Sequence, residues 1–271
     1  MPTLHVVIPV YNERGTLEQC LERVLAVSLP DGWTCRIRVV DDHSDDEHFP
    51  AVERVHRRLA DAGHAISLRR HEVNRGKGAA LQSGFDEILA SGAPDDDLAI
   101  IQDADLEYDP NDYPVLMRPL LDGRADAVLG SRWGDHRELR GFKRRIHAWG
   151  NGALTALSNV MTGYRVRDME CCYKIVPLRV LRLLRPMLTE QRFGIEPQFV
   201  ASLARLRARV EEVPIHYDPR GLDAGKKIGW TDGVRAIWVI ARERWRSRPP
   251  VRLSDPAHDA HAAKPTTSAR P

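Results

Sequence analysis

The 271-residue chain is poor in cysteine, and Cys20, Cys35, Cys171 and Cys172 show no paired CxxC spacing. A structural zinc site and a disulfide framework are therefore not expected, and a reducing cytosol is the default compartment. Long apolar runs are also missing. The strongest, Leu4 to Val10 and Ala236 to Ala241, fall well short of the roughly 18 residues that span a bilayer. The chain enters the first run without a basic segment or cleavage site, so no secretory leader is expected. No GxGxxG follows a strand and no GxxxxGK[ST] occurs, which removes the main support for nicotinamide-dependent and ATPase chemistry.

Net charge is small as well, at +2, but it is unevenly spread. Residues 1–130 hold 24 acids against 13 bases, whereas residues 131–271 hold 14 acids against 27 bases. An acidic half suits a metal ion; a basic half suits a phosphate-rich ligand, an anionic membrane face or nucleic acid. Nucleic acid is the least favoured, because no binding motif or interleaved aromatic platform accompanies the charge. With 42% hydrophobic and 29% charged residues, the chain has the means to bury a sizeable core.

The first half alternates short β-branched runs with amphipathic stretches. Strands are expected at Leu4–Val10, Cys35–Asp42, Ala65–Arg70, Leu98–Asp103 and Ala125–Gly130, and helices at Thr16–Ser28, Ala51–Ala60 and Gly78–Ala90. Such alternation implies an α/β fold with a mostly parallel, doubly wound sheet flanked by helices. In the second half, helices are expected at Arg144–Met161, Pro177–Leu184, Glu196–Arg209 and Gly233–Arg244, with strands at Cys171–Val176 and Val210–His216. One domain over residues 1–245 follows, with an acidic half (1–130) and a basic half (131–245). Residues 246–271, rich in proline and poor in large apolar side chains, form a tail expected to be disordered.

Ligands bind beyond the carboxyl ends of strands in such sheets. Those ends carry Pro9, Tyr11, Asn12 and Glu13; Asp41 and Asp42; Asp103 and Asp105; and Ser131 and Arg132. Asp103-Ala104-Asp105 closes an apolar strand, and two hard oxygen donors one residue apart can hold Mg²⁺ or Mn²⁺ against a diphosphate. Asn74-Arg75-Gly76-Lys77-Gly78 opens a helix, where glycines allow close backbone approach and Lys77 favours an anion. A plain glycine-rich helix start explains that segment equally well when it is taken alone.

Four segments occur in order: Val7-Ile8-Pro9-Val10-Tyr11-Asn12-Glu13, Val39-Val40-Asp41-Asp42-His43-Ser44, the Asn-Arg-Gly-Lys-Gly turn, and Gln102-Asp103-Ala104-Asp105-Leu106-Glu107-Tyr108. Gly130-Ser131-Arg132, Asp168-Met169-Glu170-Cys171-Cys172-Tyr173-Lys174 and Gly225-Lys226-Lys227-Ile228-Gly229-Trp230 follow. Over roughly residues 4–240 the chain resembles family-2 glycosyltransferases of the GT-A fold, and more narrowly the dolichol-phosphate mannosyltransferase group.

The resemblance implies that Pro9, Tyr11, Glu13 and Asp41 line the nucleotide pocket, that Lys77, Asp103 and Ala104 belong to the donor site, and that Asp103, Asp105 and Glu107 hold the metal. It implies that Arg132 meets an acceptor phosphate and that Arg220 and Lys227 reach the donor diphosphate; Arg144 and Arg145 suit the same acceptor, and which of the two meets it is open. Here the C-terminal loop has longer spacing than relatives show and a Lys where they carry Ser; the acceptor-side helix lacks their usual serine.

The implied reaction is metal-dependent, inverting transfer of a hexose, with GDP-mannose the first expectation for donor and a polyprenyl phosphate for acceptor. The alternative is a UDP-sugar such as UDP-glucose, or a saccharide or small-molecule hydroxyl as acceptor. A phosphate acceptor is already an anion and needs cationic positioning, whereas a hydroxyl needs a carboxylate base. Asp168 and Glu170 are the candidates for that base, with a purely organising role for Asp168 the competing assignment. The expected place is the cytoplasm, with peripheral contact to the membrane through residues 233–245; an ordinary helix packed on the sheet is the competing expectation there.

Overall fold

The structure is a computed structural model that describes residues 1–13, 15–132, 142–219, 230–246 and 253, with backbone alone for 142–149 and 230–232. Strand β1 (Thr3–Val10) is buried along nearly its whole length, as a run of Leu, Val and Ile covered on both faces must be. The other strands are β2 (Thr34–Asp41), β3 (Ile66–Arg70), β4 (Leu98–Ile101), β5 (Ala127–Ser131), β6 (Lys174–Pro177) and β7 (Val210–Pro214), in the spatial order β3-β2-β1-β4-β6-β5-β7. Every pairing is parallel except those of β6, which is antiparallel to both neighbours. The mostly parallel α/β sheet is as the alternation predicts.

Helices α1 (Leu17–Leu25), α2 (Phe49–Asp61) and α3 (Lys77–Ala90) connect the first four strands. Then come α4 (Tyr113–Leu121), α5 (Phe142–Thr162), α6 (Leu178–Leu184), α7 (Ile195–Arg205) and α8 (Trp230–Trp245). One large core fills the sheet faces, and a second small cluster of Leu129, Val166, Met169, Val200 and Ile240 lies where α7 and α8 cover the far half.

Three elements depart most from the sequence expectation, the others differing by up to three residues at their ends. Helix α4 has no counterpart in it, because Pro114 and Pro119 signal a break. Yet Pro114 sits in the first turn, where no amide is needed, and buried Leu116, Met117 and Leu120 drive the packing. Helix α7 stops four residues early, where Arg207 turns into the left-handed region at φ +57°. Strand β6 begins at Lys174 rather than Cys171 and runs against its neighbours, Ile175 pairing with Ile100 on one side and Val128 on the other. That reversal brings residues 168–173 to the carboxyl ends of β4 and β5. Gly130 N donates to Tyr173 O at 2.8 Å, and Cys172 Sγ lies 3.8 Å from Ile101 O.

Candidate active site

At the end of β2, Asp41 is fully buried. Its Oδ2 accepts from Ser44 N at 3.1 Å and lies 3.5 Å from Arg70 Nε, while Oδ1 is shut off from solvent with no hydrogen-bond partner. A buried carboxylate oxygen without a donor is costly and marks a place where a ligand N–H or O–H fits. Arg70 stacks over Phe49, 3.7 Å from the ring centroid, and walls this corner. From β1, Asn12 at φ +56° donates its amide to Ser44 Oγ at 2.9 Å, which ties the Pro9–Glu13 turn to the Asp41 loop. Tyr11 is partly exposed beside it, and Glu13 accepts from Thr16 Oγ1 at 2.7 Å.

The glycine-rich turn meets protein rather than an open cradle. A side chain on Gly76, at φ +98°, would come within 2.6 Å of Gln191 O, and one on Gly78 within 2.2 Å of Glu190 O. Two of the turn's amides are taken by Asp42, which accepts from Arg75 N at 2.9 Å and Gly76 N at 2.6 Å, and just beyond the turn Gln191 O accepts from Ala79 N at 2.9 Å. Asp42 in turn is held by His71 Nδ1 at 2.7 Å, whose Nε2 lies 2.9 Å from Ser83 Oγ.

This network aims Lys77 at the acidic loop after β4. Its Nζ lies 2.8 Å and 2.9 Å from the two Asp103 oxygens and 2.9 Å from Glu196. Glu196 pairs on its other side with buried Lys174, which also donates to Cys171 O. Burial opposes both charges, yet Asp103 and Glu196 hold the Lys77 pKa well above its ordinary value, and Lys174 and Lys77 hold Glu196 below its own. Behind Asp103, Gln102 accepts from Tyr113 at 2.6 Å and Tyr173 at 2.8 Å and donates to Asp103 O at 2.9 Å.

Ala104 is buried, and Leu106 adopts φ +65°, so the acidic loop is bent tightly between its carboxylates. Asp105 Oδ1 accepts from Glu107 N at 3.1 Å; Glu107 accepts from Tyr217 Oη at 2.6 Å. The all-oxygen donor set of Asp103, Asp105 and Glu107 suits a hard divalent cation. Among the described residues, however, no three acids, histidines or cysteines converge as a metal cluster, since Asp103 is turned to Lys77 and Glu107 to Tyr217.

At the end of β5, Arg132 is clamped on Asp168: Nε to Oδ2 at 2.6 Å, Nη2 to Oδ1 at 2.7 Å, and its backbone N to Oδ2 at 3.1 Å. Glu212 accepts from the amides of Arg167 and Asp168 at 2.7 Å and 2.9 Å and fixes this loop from β7. Arg220 and Lys227, and the side chains of Arg144 and Arg145, lie outside the described residues.

Two carboxylate-bearing strand ends, the ion-paired Lys77 and Arg132, and the buried carboxylate of Asp41 stand on one edge of the sheet. The family model for glycosyl transferase family 2 matches residues 5–184. The chain belongs to that family. It is 29% identical over 252 residues to a dodecaprenyl-phosphate galacturonate synthase of Rhizobium johnstonii, covering 91% of this chain and 69% of that one. It is 26% identical over 224 residues to a dolichyl-phosphate beta-glucosyltransferase of Trichomonas vaginalis, covering 79% of this chain and 65% of the relative. The fold matches that of glucosyl-3-phosphoglycerate synthase from Mycobacterium tuberculosis, solved with Mn²⁺, UDP and phosphoglyceric acid, at TM-score 0.61 and 19% identity over 90% of this chain and 79% of that one.

For this glycosyltransferase the strand-end motifs brought Asp41, Asp103, Asp105 and Arg132 to one edge. Five side chains that organise them carried no comparable signal in the sequence: Gln102, Tyr113, Tyr173, Glu196 and Tyr217. Gln102 and Tyr173 lay within segments that the family resemblance had drawn out, but nothing local showed that they would meet.

Proposed function

We propose that the enzyme transfers a hexose from a uridine diphosphate sugar to a polyprenyl phosphate. The observation that carries the acceptor assignment is the Arg132–Asp168 clamp. Asp168, one of the two carboxylates offered as base for a hydroxyl acceptor, is committed to three N–H donors of Arg132. The clamp takes Asp168 out of contention as a free base and fixes Arg132 in place for an acceptor that needs positioning rather than deprotonation. Both polyprenyl-phosphate relatives support this choice by their names. The phosphate oxygen attacks the anomeric carbon, and the bond from that carbon to the diphosphate breaks with its electron pair leaving on UDP.

The donor base is argued from Asp41. With Oδ2 occupied by Ser44 and Arg70, a single oxygen is free, which matches the one ring N–H of uracil better than the paired donors of guanine. A relative from Methanococcus voltae is a UDP-N-acetylglucosamine–dolichyl-phosphate transferase, in line with uridine. GDP-mannose becomes the second choice. A divalent cation on Asp103 and Asp105, with Glu107 in reserve, supplies charge for the leaving diphosphate when bound. Lys77 supplies a fixed positive charge beside it, and its own ties to Asp103 and Glu196 keep it there.

Helix α8 supports a membrane-surface acceptor. Ala236, Val239, Ile240 and Glu243 face inward, while Val234, Ile237, Trp238 and Trp245 form an exposed apolar stripe on the opposite side. Arg235 and Arg242 flank Trp238 with guanidinium carbons 4.4 Å and 4.6 Å from the ring. An apolar outer stripe bordered by arginines fits the headgroup layer of an anionic bilayer. Among the described residues no helix is long and apolar enough to cross a membrane.

The test is transfer of label from UDP-glucose and, in parallel, GDP-mannose to a short polyprenyl phosphate with Mn²⁺ or EDTA. Metal-dependent label in the lipid fraction from the uridine donor is the expected result. Label from GDP-mannose alone reverses the donor assignment, and cleavage of donor without lipid product overturns the acceptor.

A further inference from the structure

Glu170 lies at the active-site edge without a hydrogen-bonding role in the network described above. Its Oε1 is shut off from solvent and has no hydrogen-bond partner. Its neighbours are two completed ion pairs, Arg132–Asp168 and Lys174–Glu196. Each pair balances its own carboxylate, and among the described residues Glu170 has no such partner. Burial and Glu196 push its pKa up to about 7, against Lys174 and Arg132. A carboxyl kept in so unfavourable a place is explained when a ligand completes it.

The sheet topology says which part of the ligand that is. Because β6 runs antiparallel between β4 and β5, the segment leading into it crosses the active-site edge between the acidic loop after β4 and Arg132 at the end of β5. A donor diphosphate at Asp103 and Lys77 and an acceptor phosphate at Arg132 therefore flank Glu170, and the group passed between them is the sugar. On the proposed donor and acceptor sites, we infer that Glu170 hydrogen-bonds hydroxyls of the transferred hexose and sets a preference for an uncharged sugar over a uronic acid. A carboxyl group accepts from one or two sugar hydroxyls, whereas the carboxylate of a uronate meets an acid there, and the described cations beside it, Arg132 and Lys174, are already paired with Asp168 and Glu196.

Titration calorimetry with UDP, UDP-glucose and UDP-glucuronic acid in Mn²⁺ tests this without any acceptor. The wild-type protein is expected to bind UDP-glucose at least about tenfold more tightly than UDP-glucuronic acid. Glu170→Ala is expected to weaken UDP-glucose about tenfold while UDP stays within about twofold, which also shows that the variant is folded. Glu170→Gln, keeping the hydrogen bonds without the charge, should hold UDP-glucose within about threefold and narrow the gap to UDP-glucuronic acid. Equal losses for UDP and UDP-glucose, or no loss for either, in Glu170→Ala overturn the assignment. Absence of UDP binding by the wild-type protein overturns the uridine donor itself, and the sugar contact with it.

Discussion

Gln102 shows how one buried side chain fixes the reactive loop. Its amide oxygen takes two tyrosine hydroxyls and its nitrogen pins the Asp103 carbonyl. Gln102→Leu strands the hydroxyls of Tyr113 and Tyr173 in the core, and about 2–4 kcal/mol of stability should be lost in urea unfolding. Transfer should fall more steeply than stability alone explains, because the Asp103 loop loses its anchor. Glu170 behaves in the opposite sense. Its folded pKa of about 7 lies above the ordinary 4.5, so the folded protein holds a proton that the unfolded chain releases between those values. The contribution is intact below pH 4.5 and is lost as pH rises through 7. Glu170→Gln should therefore leave stability unchanged at pH 4 and raise it by roughly 1–3 kcal/mol at pH 8, checked by unfolding curves at the two pH values. A destabilising carboxyl of this kind is what a binding site retains at the expense of the fold.

At the scale of elements, the start of α3 is the tightest joint. Gly78 admits the Glu190–Arg192 backbone where any side chain collides with it, and that contact aligns Lys77 with Asp103 and Glu196. Gly78→Ala should cost on the order of 2–3 kcal/mol by overpacking, seen as a lower Tm, and should weaken donor binding in proportion to the displacement of Lys77. The glycine motif in the sequence suggested approach to a phosphate; the structure shows approach to another stretch of chain, with the lysine carrying the charge. Strand β6 is the other decisive element. Nothing in the residues Lys174–Pro177 distinguishes a parallel from an antiparallel partner, because all four are buried and the period-2 signal is lost. Its direction depends on the connection through α5, which sets where the chain re-enters the sheet.

For the whole molecule, the charge asymmetry and the outward stripe of α8 predict how the enzyme meets its acceptor. Trp238→Ser combined with Trp245→Ser should abolish co-sedimentation with vesicles containing anionic lipid while leaving the melting temperature near that of the wild type, since both rings are exposed. Binding of the wild-type protein should weaken as salt rises, as the excess of basic residues in the second half of the chain predicts. The inner face of the same helix is fixed by Glu243, which gathers Gln198, Arg205, Arg242 and Arg246, and by Glu190, which takes Arg235 and Arg242. These pairs explain why a helix so rich in arginine stays packed. The alternation of apolar runs determined, by itself, the α/β class and which strand ends carry the acids; the family was legible in the resemblance of a few short motifs taken in order. Those are local properties: period, strand length and the chemistry of a few adjacent residues. Only the tertiary structure decided that Asp168 belongs to Arg132, that the glycine turn is filled by residues 190–192, and that Glu170 is held at the ends of β4 and β5 with a buried oxygen lacking a hydrogen-bond partner. Each depends on contacts between residues more than 20 positions apart and on the direction of one strand, and no local pattern encodes either.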